Sequence, residues 1–249
     1  SRATNLWRQQ TRPGQLAENA YLPYFDSDNF PLQWHKAISE SPSATACVST
    51  IQDFLEGFGF SDPELEKKIV NSKGETMFQI HQKTCKDFGE FEGFYWHFMY
   101  NRATKTTEWE LIPFENCRLG KPDETWYISK IYYNPFFGTN LYNGAQKNKT
   151  KIYDTYNPKA VRQQFIDQGE GYKGQVFFYG QTNSISRFYP INEAYSAHDW
   201  MKIEDGVSSY HQDNIDNGFL QKFMLLMFGD SNAPSTNPEF TGDGTTPTT

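Results

Sequence analysis

Residues 94–101 read FYWHFMYN. Large aromatic side chains stand at nearly every position, and on an extended chain they alternate between the two faces, the composition of a strand that packs on both sides. Reading outward, TEWELIPF (107–114) follows after a short polar turn, WYISKIYYNPF (126–136) forms a third β-type segment, and GQVFFYGQ (174–181) a further one. The Gly-, Asn- and Lys-rich residues 138–150 predict a loop, and PKAVRQQFID (158–167) a short helix. The expected fold class is therefore α+β: a mixed or largely antiparallel sheet flanked by helices, with a long helix near the C-terminal end.

The helices declare themselves by caps and spacing. In SPSATACVSTIQDFLEGFGF (41–60) Ser41 is placed to cap, Pro42 suits the first helical position, Val48, Ile51 and Leu55 recur at helical intervals, and Gly57 can close the helix. Met77, Ile80, Thr84 and Phe88 mark a second amphipathic helix that is expected to stop at Gly89. From Ile191 to Asp216 the pattern is helical again, with Asn192 as cap. Trp200, Ile203, Val207, Tyr210 and Asn214 step by three and four residues, a seam of the kind that packs against a neighbouring subunit or a neighbouring helix. Asp205, Ser209, Asp213 and Asp216 fall roughly opposite, so Asp205, Asp213 and Asp216 are candidates for an acidic face toward solvent or a channel.

The chain has no internal repeat and no clear linker. Its expected organisation is an extended N-terminal arm over 1–35, an α+β domain over 36–190, a stem-like helix and the apolar FLQKFMLLMF over 191–228, and a flexible Pro-, Thr- and Gly-rich tail over 229–249. Asn217-Gly218 supplies a left-handed helix stop between the last two parts. With 249 residues, 37% of them hydrophobic, there is enough apolar material for a sizeable core. No apolar run approaches the ~20 residues that a membrane span needs, SRATNLWRQQ lacks a signal-peptide core, and the missing initiator Met reads as a fragment.

A formal net charge of −7 excludes tight phosphate gripping, which relies on clustered Lys and Arg to release counterions; a protein that only surrounds or guides DNA has no such need. Cys47, Cys85 and Cys117 are odd in number and widely spaced, consistent with reduced thiols rather than with a disulfide framework or zinc ribbon. Asn148-Lys149-Thr150 is a chance sequon on this reading.

Catalytic and metal chemistry find little purchase. YHQDNIDNGF (210–219) crowds His, Asp and Asn together, but the residues four away from His211 are Val207 and Ile215, and His198 lies on a different helical face, so no second metal ligand is in place. Carboxylates on one helix face all point the same way and cannot flank a substrate as paired acid and base. Cys85 with His81, or Cys117 with His97, has nothing local to activate a thiolate. Nucleotide-binding and zincin patterns are absent. No catalytic, cofactor-binding or metal residue is assigned, and no cofactor is expected. The 17% aromatic content leaves one rival, an aromatic-rich carbohydrate-binding module or glycosidase fragment, because exposed aromatic rings stack on sugars.

Four segments in order carry a family resemblance: DNFPLQWHKAISESPSATACVSTIQDFLEGFGF (28–60), VNSKGETMFQIHQKTCKDFGEFEGFYWHFMYN (70–101), LIPFENCRLGKPDETWYISKIYYNP (111–135) and FYPINEAYSAHDWMKIEDGVSSYHQDNIDNGF (188–219). Over about residues 24–228 the chain resembles the wing and first stem-helix portion of the portal proteins of tailed bacteriophages, in particular a divergent group from phages of gut bacteria. The resemblance implies a structural protein, not an enzyme, that forms a homo-oligomeric ring of about twelve subunits at one capsid vertex of the virion. Double-stranded DNA would be packaged and ejected through it without sequence-specific binding. It further implies contacts with the major capsid protein, the packaging terminase and the tail adaptor, assembly in the host cytoplasm, and no association with a membrane.

Overall fold

The computed structural model describes residues 21–25, 28–101, 103–142, 149–182 and 187–216. Six α-helices and six strands lie among them: α1 (Phe30–Glu40), α2 (Pro42–Glu56), α3 (Pro63–Lys67), α4 (Met77–Phe91), β1 (Gly93–Asn101), β2 (Thr106–Ile112), β3 (Cys117–Leu119), β4 (Lys130–Tyr133), β5 (Lys151–Thr155), α5 (Val161–Gln168), β6 (Gln175–Gly180) and α6 (His198–Asp216). The expected arm over 1–20, the Asn217-Gly218 stop, the segment 219–228 and the tail 229–249 lie outside the described residues. The chain divides into two compact units, Ser1–Val207 and Ser208–Thr249; of the second, only the C-terminal part of α6 is described.

One mixed sheet carries the first unit, in the order β2-β1-β6-β5-β4-β3. All neighbours are antiparallel except β5 and β6, which run parallel. The fold is α+β. The aromatic run lies in β1, flanked on both sides, with Tyr95 opposite Ile112 of β2 and Phe178 of β6. Its alternation sorts the side chains. Tyr95 is fully buried against Phe178 and Phe114, with ring centroids 4.7 and 5.3 Å away, on the face completed by the stacked Tyr24 and Tyr189. On the other face the half-buried Trp96 donates its indole N–H to Thr84 Oγ1 of α4 at 2.9 Å.

The helix caps follow local chemistry. Ser41 Oγ accepts from Ala44 N at 3.2 Å with Pro42 next in line, and Gly57 ends α2 at φ 57°. Thr76 and Gln79 form a reciprocal capping box at the start of α4. That helix runs past Gly89 to Phe91, and Glu92 takes the left-handed position instead. Gly89 itself faces α2, where a Cβ would meet Val48 and Ile51 at ordinary contact distance, about 3.6 Å.

Several expectations are corrected. Residues 30–35, read as extended arm, are helical: Pro31 sits in the first turn of α1, and Trp34 and Ile38, four apart, are buried. The indole N–H of Trp34 donates to Glu90 O at 2.7 Å, tying that turn to α4. The strand expected over 126–136 is confined to β4, because Asp123 Oδ1 accepts from Thr125 N and Tyr127 N, both at 2.8 Å, and holds the preceding residues in a turn. Residue periodicity alone gave neither β3 nor β5. β3 has only three residues, and residues 21–24 lie along it through the Tyr21–Gly120 bridge and a Leu22 N to Leu119 O bond of 2.7 Å.

A charge is buried on the edge strand β3. Arg118 of β3 is wholly buried, its guanidinium donating to Asp28 Oδ1 (2.5 Å), Asp28 O (2.8 Å), Glu115 O (2.8 Å) and Cys117 O (2.7 Å). Burial strips the cation of water, a cost offset here by the Asp28 carboxylate and the fixed carbonyl acceptors, and losing a partner would leave it uncompensated, so Arg118 locks residue 28 against the sheet.

Candidate assembly surface

The approach to α6 is built from polar anchors. Asn192 Oδ1 accepts from Ala194 N at 2.9 Å and opens a 3-10 turn, Glu193–Ala197, ahead of the α-helix. Its side-chain amide donates to Gly89 O and Glu90 O, each at 3.0 Å, so one residue caps its own helix and satisfies the last turn of α4. Met201 is the one buried residue of α6 among those described. Three residues on, the Glu204 carboxylate accepts from Ser41 Oγ and from Ser43 Oγ (2.7 Å) and N (3.3 Å), which places a negative charge at the N-terminus of α2. These hydrogen bonds hold the Glu204 carboxyl below its ordinary pKa.

The structure shifts the packing positions of α6 away from the expected seam. Within the first unit the helix docks through Met201 and Glu204, with Ala197 of the preceding turn packed on the core. Trp200, Ile203 and Val207 are exposed, Trp200 to 73%. In the second unit Tyr210 is also exposed, while the half-buried Asn214 donates its amide to Tyr210 O at 2.9 Å. None of the five is buried within the chain, and Trp200, Ile203, Val207 and Tyr210 are each exposed. Asp205, Asp213 and Asp216 are exposed, and Asp216 accepts from Gln212 Nε2 at 3.0 Å.

Beside α6 the first unit has an apolar groove of about 380 Å³ between α1, α2 and the start of α6. Ile38, Ala44, Val48 and Met201 line it, with Trp200 and Cys47 at its edge. The same helix, α2, leaves its other end uncovered: Phe54 is 87% exposed, and Phe58, just past Gly57, is fully exposed. Periodicity pointed to Val48, Ile51 and Leu55 and passed over Phe54 and Phe58, although their spacing of four on an apolar helix end was there to be read.

The other candidates resolve as architecture. Cys85 Sγ lies 3.6 Å from His81 Nε2, but burial pushes its thiol up and keeps it protonated. Cys117 and His97 are each buried on the sheet; His97 Nε2 pairs with Lys173 O at 2.7 Å, and burial pushes its imidazole down, toward the neutral form. Among the described residues no group of three His, Cys, Asp or Glu could hold a metal ion, and no helix is long and apolar enough to cross a membrane. The rings of FYWHFMYN that a sugar-binding platform would need are largely taken up by packing: Tyr95 and Phe98 are buried, and Phe94 and Trp96 are half-buried.

No family profile matches the chain, and no curated protein sequence matches it. Solved structures do. A chain from the neck of native gene transfer agent (GTA) particle, computed with C12 symmetry, superposes with a TM-score of 0.55 at 10% identity over 83% of this chain and 50% of that one. A chain from the virion of native gene transfer agent particle gives 0.55 at 9% identity over 75% and 45%. One from the neck of empty GTA particle, computed with C6 symmetry, gives 0.53 at 9% over 74% and 46%. The present chain thus shares a fold with chains of these particles and spans about half their length.

Proposed function

We propose that this chain is a portal-type structural subunit of a phage-like particle, corresponding to the wing and first stem helix. In this reading it assembles with copies of itself into a ring of about twelve at one vertex of the capsid, and double-stranded DNA enters and leaves through that ring. The fold shared with a neck chain from a C12-symmetric reconstruction, over 83% of the chain, is the observation that carries the reading. The exposed Trp200, Ile203 and Val207 support it, since an apolar helix face left bare in one subunit is what a ring contact covers. The net charge of −7 supports passage rather than grip, because a surface that neutralised many phosphates would hold the duplex in place.

The subunit is then neither an enzyme nor a cofactor carrier. Packaging motor, tail adaptor and major capsid protein are separate partners at the portal vertex of the virion, and assembly takes place in the host cytoplasm. Native mass measurement with electron microscopy of the purified protein tests this. A closed ring of about a dozen subunits is expected. A strictly monomeric protein that binds glycans would overturn it in favour of the carbohydrate-binding reading.

A further inference from the structure

Helix α6 runs without interruption through DGVSSYHQ (205–212), a stretch whose residues do little to hold a helix together. Gly206 stands in its interior, and a Cβ there would meet nothing within 4 Å, so no close approach requires a glycine. Elsewhere in the fold the need is plain: at Gly93 and Gly120 a Cβ would come within 2.8 and 2.7 Å of a backbone carbonyl oxygen. What Gly206 contributes is weakness, since glycine gives up more backbone freedom in a helix than any other residue. Val207, Ser208 and Ser209 follow, a β-branched residue and two whose hydroxyls compete for the backbone. Packing does not make up the deficit. Met201 is buried and Glu204 is bonded to Ser41 and Ser43, but every residue from Asp205 to Asp213 is exposed. The boundary between the two compact units, Val207/Ser208, falls inside the same stretch.

The stretch also spells two helix ends. Gly206, following Asp205, is placed as the left-handed residue that closes a helix. Ser209 and Gln212 have the spacing of a capping box, in which the hydroxyl accepts from the Gln N–H and the Gln side chain accepts from the Ser N–H. Thr76 and Gln79 form that box at the start of α4. In the continuous α6 the backbone N–H groups of Ser209 and Gln212 serve the helix, and the box stays open.

We infer that α6 has a second state, in which the helix stops at Gly206 and restarts at Ser209, so that Gly206–Ser208 act as a joint. Residues 198–204 stay docked while those beyond Ser209 turn as a separate helix. The joint belongs to a single subunit and does not depend on the ring proposed above.

Breaking the helix there removes a defined set of hydrogen bonds. The N–H groups of Ser208 to Gln212 reach back across the joint and lose their carbonyl partners, whereas those of Lys202–Gly206 and Asp213–Asp216 keep theirs. Hydrogen exchange of the purified 249-residue protein, resolved to single amides by mass spectrometry, reads this directly. Ser208–Gln212 should form a window that exchanges at least about tenfold faster than either flank. Gly206→Ala should slow the window about fivefold by favouring the unbroken helix. Ser209→Ala also removes the cap of the restart and should slow it about tenfold, Ser208→Ala only about twofold, and Ser209→Asn, which can still cap, should keep it fast. The three positions are exposed, so none of these variants endangers the fold. Exchange that rises smoothly toward Asp216 would mean a fraying end, and uniform exchange a rigid helix; either overturns the inference. Equal effects of Ser208→Ala and Ser209→Ala would overturn it too, because helix propensity alone would then account for both.

Discussion

Helices α2 and α4 are each 15 residues long, each begins with a hydroxyl cap, and each is amphipathic, yet they end in opposite situations. α4 buries Ile80, Thr84, Cys85, Gly89, Glu90 and Phe91, whereas α2 buries only Ala44. The apolar face of α4 lies between the sheet and α2, and so is consumed within the unit. That of α2 touches α4 along one edge and is otherwise open, from the groove to the Phe58 corner. The same periodic pattern thus serves one helix as core and the other as surface.

The contrast can be broken from the inside first. Ile80→Ala in α4 should cost about 2–5 kcal/mol of folding stability in urea denaturation, because it opens a cavity at a site only 1% exposed. A loss under 1 kcal/mol would mean that α4 is no more committed to the core than α2. Next in size, Asn192→Ala should cost about 1–2 kcal/mol, since it removes a cap and leaves Gly89 O and Glu90 O without this donor.

A third test is a slope. Asp87 of α4 has a buried Oδ2 without a hydrogen-bond partner, and burial, then the charges of Glu115 and Glu90, push its carboxyl well above the ordinary range, against Lys86 and the Phe114 amide. The folded state then holds a proton that the unfolded state releases. Its contribution is present below the ordinary carboxylate range and is lost as pH rises from there to the raised value. Asp87→Asn should remove that fall from the stability profile; parallel curves for the two proteins would refute it. The smallest effects belong to the outside. Phe54→Ala and Val207→Asp should each change folding stability by no more than about 0.5 kcal/mol, and Val207→Asp should still weaken assembly while Asp213→Asn leaves it intact. Loss of folding with Val207→Asp would return that residue to the interior.

Much of the architecture was legible where the deciding interactions are local. Ser41, Pro42 and Gly57 mark the ends of α2, and runs rich in aromatic and β-branched residues identify β1, β2 and β6. Periodicity could not find β3 and β5 because three or five residues hold too little pattern, and their pairing depends on strands far along the chain. Helix α1 escaped because Pro31, Trp34 and Ile38 are few signals amid irregular sequence, and what orders them is a groove made by α4 and α6. The candidate surface was half legible: the apolar spacing of Trp200, Ile203 and Val207 could be seen, but not that Met201 and Glu204 would dock instead.

By itself, then, the sequence determined both ends of α2, the existence of α4 and which strands are aromatic. Caps and alternation act over a few residues, so they survive reading one letter at a time. Tertiary structure alone decided that Arg118 is the buried link to Asp28, that Gly89 lies inside α4 against α2 rather than at its stop, and that α2 is the helix left bare. An amphipathic pattern specifies that a face must be covered, and only the three-dimensional arrangement specifies what covers it.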